Sequence, residues 1–273
     1  MLLTGLGSSS TITSTVTLDS NRLVLNSSSG NTINLTGSAG IQNVAITNTG
    51  TGDGISASFS TAESVTVRSS SIGGGTGGFA IDLATTSGAS TYAFSDLALT
   101  SGVRLDGSAG GSLGGTMTGT NTIDGASGAG LQLTNASGSF SNITFGASSA
   151  IGGAGIQIAN SDASDRSLAL ENITMGSGGN GDTGDVGGIG VDVDPSGTGA
   201  LTVSLNGTNT IRSTGQALDA DETGAGTPDN LRLSIRNTTF ESAAAGVPSV
   251  EITGQNVSST TSSVNVRAFS TTR

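Results

Sequence analysis

The 273-residue chain has no His, no Cys and no Trp, and its nine basic residues are all Arg, so Lys is missing as well. Each absence removes a chemistry. Without His or Cys there is no Ser-His-Asp triad, no thiolate nucleophile, no Cys/His zinc site and no His-ligated haem. Without Lys there is no Schiff base and no P-loop lysine. Aromatics are scarce, with one Tyr and seven Phe, and only three residues are Pro. Positive charge is outweighed: the net charge is −11. Such a chain lacks the basic footprint that nucleic-acid phosphates or anionic membranes require. No run approaches the ~18 apolar residues of a membrane span, and Met1–Leu6 has neither the basic start nor the apolar core of a secretory signal.

What is abundant is small. Gly (45), Ser (43) and Thr (39) make up nearly half of the chain. That composition also suits disorder, but only 11 % of residues are charged and the apolar residues recur in order. Short alternating runs appear throughout, among them Ile33-Asn34-Leu35, Val65-Thr66-Val67, Ile81-Asp82-Leu83, Leu131-Gln132-Leu133, Ile156-Gln157-Ile158, Val191-Asp192-Val193 and Leu231-Arg232-Leu233. Period two between Gly, Ser, Asn and Asp predicts half-buried strands, and almost no helix is expected.

A longer repeat organises the strands. Phe140–Phe145, Leu170–Met175 and Ile235–Phe240 superimpose without gaps as apolar-x-Asn-apolar-Thr-apolar (Thr in place of the second apolar residue at 238), and Val67–Ile72 and Phe94–Leu99 fit more loosely. A second unit is Gly followed by apolar residues, as at Gly54, Gly78, Gly130, Gly155 and Gly188. A third, Asn-Thr-Ile, starts at Asn31, Asn121 and Asn209, and the continuations Gly40-Ile41-Gln42 and Gly130-Leu131-Gln132 match. In Leu168–Met175 the apolar positions are 168, 170, 173 and 175, so the alternation slips by one residue at Glu171-Asn172. A strand whose side chains alternate faces can do this only by bending, and Asn tolerates the left-handed backbone such a bend needs. Stacked once per coil, Asn142, Asn172 and Asn237 form a candidate hydrogen-bonded corner ladder.

Short strands, bends at Asn and Gly, and coils of roughly 20–35 residues describe an all-β parallel solenoid of about 8–11 coils spanning 1–273 as one domain. Variable coil length favours the right-handed form over a strict hexapeptide one. The chain resembles the pectin-lyase-like right-handed parallel β-helix family, in particular passenger segments of bacterial autotransporters and other surface adhesins. The resemblance covers nearly the whole chain and rests on its Asn-apolar-Thr-apolar corners and Gly/Ser/Thr composition. It implies a secreted or bacterial cell-surface protein. Loops leaving the helix are expected near 73–78, 107–115, 176–187 and 222–230.

Aligning the coils places Asp82, Arg104, Gln132, Gln157, Asp192 and Asp219 in one outward column, and Asp106, Ala159, Asp194 and Asp221 in the next. If the coils are adjacent, Asp192, Asp194, Asp219 and Asp221, with Glu222 beside them, form an acidic cluster. Carboxylates that close repel unless they share protons or hold a cation, and Ca²⁺ suits an all-oxygen set. A solvated acidic face is the simpler reading. The resemblance also implies a polysaccharide lyase or glycosidase alternative, with the four Asp as acidic centre and Arg212 or Arg232 nearby. Against it, the family's pectinase His is absent, as are the Lys and most aromatics that grip sugar. A non-catalytic carbohydrate-binding module is a third reading. Gly178–Val186 resembles one imperfect calcium-binding nonapeptide and reads better as a loop. Asn34, Asn142, Asn172 and Asn237 head Asn-x-Thr sequons, for which glycosylation is the minor reading.

Alternation continues close to both termini without a capping helix, so an open end is expected to meet neighbouring coils of a longer chain or another subunit. The leading expectation is a structural or adhesive rod segment without catalysis, offering a polar surface for attachment or assembly, polysaccharide included.

Overall fold

The computed structural model describes residues 2–4, 11–12, 15–19, 22–107, 111–176, 185–221, 231–253, 258–259 and 265–266. Among these residues no helix occurs, and the strands form one 17-stranded and one 10-stranded sheet. The chain is a parallel β-helix. Each coil lays one strand in the smaller sheet, the first wall, and then bends through the larger sheet to make a second and a third wall.

The first wall fixes the register. Ile33, Ile55, Ile81, Val103, Leu131, Ile156, Val191, Leu218 and Val250 stack residue on residue as its first members, one per coil. We number these coils 1 to 9; they run from 22 to 35 residues between equivalent positions. Length varies in the connections, while the walls keep parallel pairing at about 4.8 Å per coil.

Just before the first wall stands a column of small residues: Gly54, Ala80, Gly102, Gly130, Gly155, Gly190, Ala217 and Ser249. The cause is steric. A Cβ on Gly130 would lie 2.7 Å from a ring carbon of Phe145, and one on Gly190 would lie 2.5 Å from Ile211. The last inward side chain of the third wall closes over this position. Gly78 and Gly188, grouped with this column from sequence, sit two residues upstream of its members Ala80 and Gly190.

The bend between the second and third walls carries left-handed backbone in coils 1 to 8: Asn43, Ser69, Asp96, Gly119, Asn142, Asn172, Gly207 and Asn237 all have φ between 46° and 76°. The loosely matched segments Val67–Ile72 and Phe94–Leu99 thus share the corner of the three close copies. In the two coils with Gly at the bend the corner is one residue longer, and a buried Asn follows. Asn121 Oδ1 accepts the Leu97 N–H of the coil below at 3.1 Å, and Asn209 Oδ1 accepts that of Ile173 at 2.9 Å. Their Nδ2 groups donate to Thr118 O and Asn206 O. Each Asn satisfies a backbone donor that the longer corner leaves without a backbone partner. Asn31, by contrast, precedes the first wall, where its Oδ1 accepts from Asp53 N. The Asn-Thr-Ile recurrence therefore joins two different corners and is no super-repeat. Likewise Ile41 lies on the second wall and Leu131 on the first.

The interior is a set of apolar columns. One runs Ile41, Val67, Phe94, Met117, Phe140, Leu170, Leu205 and Ile235, all buried. Each such side chain contributes about 1.5–3 kcal/mol, so the thin lumen needs no large central core. Tyr92, the single Tyr, rises beside Gly115 and Gly138 of the next two coils, where a Cβ on Gly138 would lie 2.3 Å from its hydroxyl. Its ring centroid is 5.2 Å from that of Phe94, and its hydroxyl donates to Ser137 O at 3.0 Å. Arg166 also points inward, in the column of Leu201 and Leu231, and pairs with Asp162 at 2.6 Å.

At the N-terminal end the pairing reverses. Strands β1 (Leu2–Thr4), β2 (Thr11–Ile12) and β3 (Thr15–Asp19) run antiparallel to the first strands of the stack. These are β4 (Arg22–Ser27), β5 (Ile33–Leu35) and β6 (Ala39–Gln42). All other strand pairings among the described residues are parallel, beginning with β4 on β7 (Val44–Asn48).

The expected loops fare differently. Residues 73–78 do not leave the helix: Gly75 and Thr76 donate to Gly52 O and Gly50 O, so this turn lies on that of the coil below. Of 107–115, Ser112–Gly115 already belong to a strand. Residues 108–110, 177–184 and 222–230 lie outside the described set.

Candidate functional site: the outward face of the first wall

Alternation along each first-wall strand turns its second residue outward, so the stack creates a continuous file: Asn34, Ser56, Asp82, Arg104, Gln132, Gln157, Asp192, Asp219 and Glu251. The six residues Asp82 to Asp219 are consecutive members, in the order expected from sequence. Three chemical zones follow one another along it.

The first is an ion pair on an aromatic ring. Arg104 donates to Asp82 through Nε at 2.8 Å and through a terminal nitrogen at 2.5 Å. Its guanidinium lies 4.7 Å from the Phe79 ring centroid, a cation–π contact. The hydrogen bond to Asp82 holds the Arg104 pKa above its ordinary value. Asp53 accepts the Phe79 N–H at 2.8 Å, yet partial burial outweighs that bond and raises its pKa. Asp53 and Phe79 escape a sequence reading because they sit in the turn before the wall, outside the alternating frame.

The second zone is an amide ladder. Gln132 Nε2 donates to Gln157 Oε1, and Gln157 Nε2 to Asp192 Oδ2, both at 3.3 Å. Equal spacing on parallel strands lets one amide serve as acceptor below and donor above.

The third zone is acidic. Asp192 pairs in register with Asp219, and Asp219 with Glu251; Asp194 and Asp221 follow two residues along their strands. Burial is the first cause of a raised pKa at Asp192, with Asp194 adding to it and the Gln157 bond opposing it. At Asp219 burial again leads, followed by the charges of Asp192, Glu251 and Asp221. Thr253 donates to Asp221 at 2.9 Å, and Gln216 donates to Glu251. Glu251 completes this zone and was missed, although Val250-Glu251-Ile252 carries the same alternation. Glu222 lies outside the described residues.

The arrangement bears on the calcium expectation. Among the described residues no group of three or more carboxylates is disposed to hold a metal ion. Carboxylates repeated at equivalent strand positions form files along the stack, and oxygen ligands must converge on a point. Arg212 and Arg232 lie on other walls; Arg212 is held by Glu241 at 2.6 Å on the third.

The Asn corner is shorter than the sequence suggests. Asn172 Nδ2 donates to Asn142 Oδ1 at 3.1 Å, and Asn172 Oδ1 accepts the Thr208 N–H at 2.9 Å. Gly207 occupies the next coil, so Asn237 stands two coils from Asn172 and the three residues do not form one ladder. Thr122, Thr144, Thr174, Thr210 and Thr239 align beside this corner. A shallow groove of about 550 Å³ opens at the bend, lined by Asn43, Ser69, Ser71, Asp96, Thr120 and Thr122 among others. Hydroxyls and amides lining this groove can hydrogen-bond a polar polymer. No family model, no curated protein sequence and no solved structure matches the chain.

Proposed function

We propose that the chain is a structural or adhesive rod segment of a secreted or cell-surface bacterial protein of the pectin-lyase-like β-helix type, offering its polar walls for attachment or assembly. One observation carries this reading: nine first-wall strands stack in register, so the wall holds a single continuous file of hydrogen-bonding side chains. A rigid, regularly spaced face suits an extended partner such as a polysaccharide better than a small molecule. Acidity supports solubility of such a rod.

A second reading, a polysaccharide lyase or glycosidase, is favoured by the stacked Asp192 and Asp219, whose raised pKa values resemble those of carboxyl groups used as acids. One experiment addresses both. The purified chain and its Asp192→Ala and Asp219→Ala variants are incubated with immobilised acidic and neutral polysaccharides, and both retention and release of sugar ends are measured. Retention without cleavage is the expected result. Cleavage abolished by either substitution would replace the adhesive reading with the enzymatic one. Neither retention nor cleavage on any glycan would remove polysaccharide as the partner.

A further inference from the structure

The three antiparallel contacts at the N-terminal end carry an inference about assembly. A parallel stack ends in unpaired N–H and C=O groups on every wall, and such edges template pairing with other chains. Here each wall is met by a strand running the other way. Leu2, Leu3 and Thr4 face Gln42, Ile41 and Gly40 on the second wall; Thr11 and Ile12 face Asn34 and Ile33 on the first. Thr15 to Asp19 face Asn26 to Arg22 on the third. A fourth contact of this kind would have no wall to cover.

We infer that β1, β2 and β3 act together as a strand cap that keeps this end of the stack closed to a second copy of the chain. The second copy is the partner to which the covered edges are matched. Coils between 22 and 35 residues long all stack here in one register, because the walls repeat while only the connections vary. A coil with a free edge at the far end of another copy therefore presents the same three strands in the same order and could add to β4, β5 and β6 if these were free. Antiparallel cap strands occupy those hydrogen-bonding groups, and their own outer edges run against the direction in which a further coil would pair in parallel. This inference concerns the edges of β4 to β6 and does not depend on the rod's ligand, so it stands or falls separately from the proposed function.

The test keeps the full chain and unpairs the cap. Proline lacks the N–H and fits poorly inside a paired strand, so Leu3→Pro, Ile12→Pro and Thr17→Pro are combined, and Ile12→Pro is also made alone. Mass is measured by light scattering across a hundredfold range of concentration, alongside the β-sheet circular dichroism signal. The wild-type mass should stay constant. The triple variant should keep the β signal and at least double its average mass as concentration rises, with Ile12→Pro intermediate. A triple variant that stays folded and monomeric would overturn the inference, as would equal association of the wild type. Hydrogen exchange on the wild type gives a reading independent of variant folding. Amides of β4, β5 and β6 bonded to the cap should exchange slowly, and exchange at the rate of exposed turns would equally overturn it.

Discussion

Tyr92 shows how one residue depends on what its neighbours lack. Its ring fits because Gly115 and Gly138 have no side chain, and its buried phenol has a pKa raised far above the ordinary 10.0 by loss of solvation. The sign follows: a neutral phenol is favoured in the fold, so this contribution is complete below the unfolded value of about 10 and is lost as pH rises beyond it. In an alkaline titration, phenolate absorbance should appear only together with loss of the β signal. Ionisation near 10 with the β signal intact would contradict the buried position. Asp219 has the same sign at the other end of the scale. Its pKa lies above the ordinary 3.8, so stability is gained as pH falls from neutral through the raised value and the gain is complete below 3.8. Asp219→Asn removes the in-register repulsion with Asp192 and Glu251 and should stabilise the protein by about 0.5 kcal/mol at pH 7, a figure reduced for solvent screening. Thermal melts at pH 7 and pH 4 test this: the variant's advantage should shrink at the lower pH.

At the scale of an element, the bend between the second and third walls is built in two ways. Asn142 and Asn172 turn the strand in one residue, and the side chain of one bonds to the other. Gly119 and Gly207 turn it with an extra residue, and Asn121 or Asn209 must then enter the interior to receive an otherwise unpaired N–H. Asn209→Leu should therefore cost about 1–3 kcal/mol although it adds apolar area, since it leaves the buried Ile173 N–H without a partner. Asn172→Gly, which keeps the left-handed bend and removes only an outward side chain, should lose less than Asn209→Leu, and urea melts of the two variants give the comparison. Equal losses would mean that the inward Asn is ordinary filling. The strands themselves were legible in the sequence, because period two survives wherever one face is buried. The extra corner residue was not, because Gly-Thr-Asn reads locally as any turn, and only pairing with the coil below shows that one amide is left over.

For the whole molecule, a solenoid's stability is a sum over coils and the interfaces between them. Removing one coil should shorten the rod without abolishing it. Deletion of Val191–Ala217 joins Gly190, which immediately precedes the first-wall residue Val191, to Leu218, the partner of Val191 in the next coil. It also brings Asn237 above Asn172 and Asp219 above Gln157, each a pairing the stack accommodates. The shortened chain should retain its β signal per residue and melt cooperatively at a lower temperature. Loss of the β signal would show that the coils are not interchangeable.

By itself the sequence determined the strands, the inward and outward faces, the coil length and the file from Asp82 to Asp219. Each of these follows from local alternation and from small residues recurring at a crowded position. Only the tertiary structure decided which coils are neighbours at each corner, that Gly207 separates Asn172 from Asn237, that Glu251 extends the file beyond Asp219, and that antiparallel strands cover one end. Apart from the short pairing of β3 with β4, those properties depend on strand pairing between residues 21 or more positions apart, and a pattern read along one strand does not contain the partner on the next.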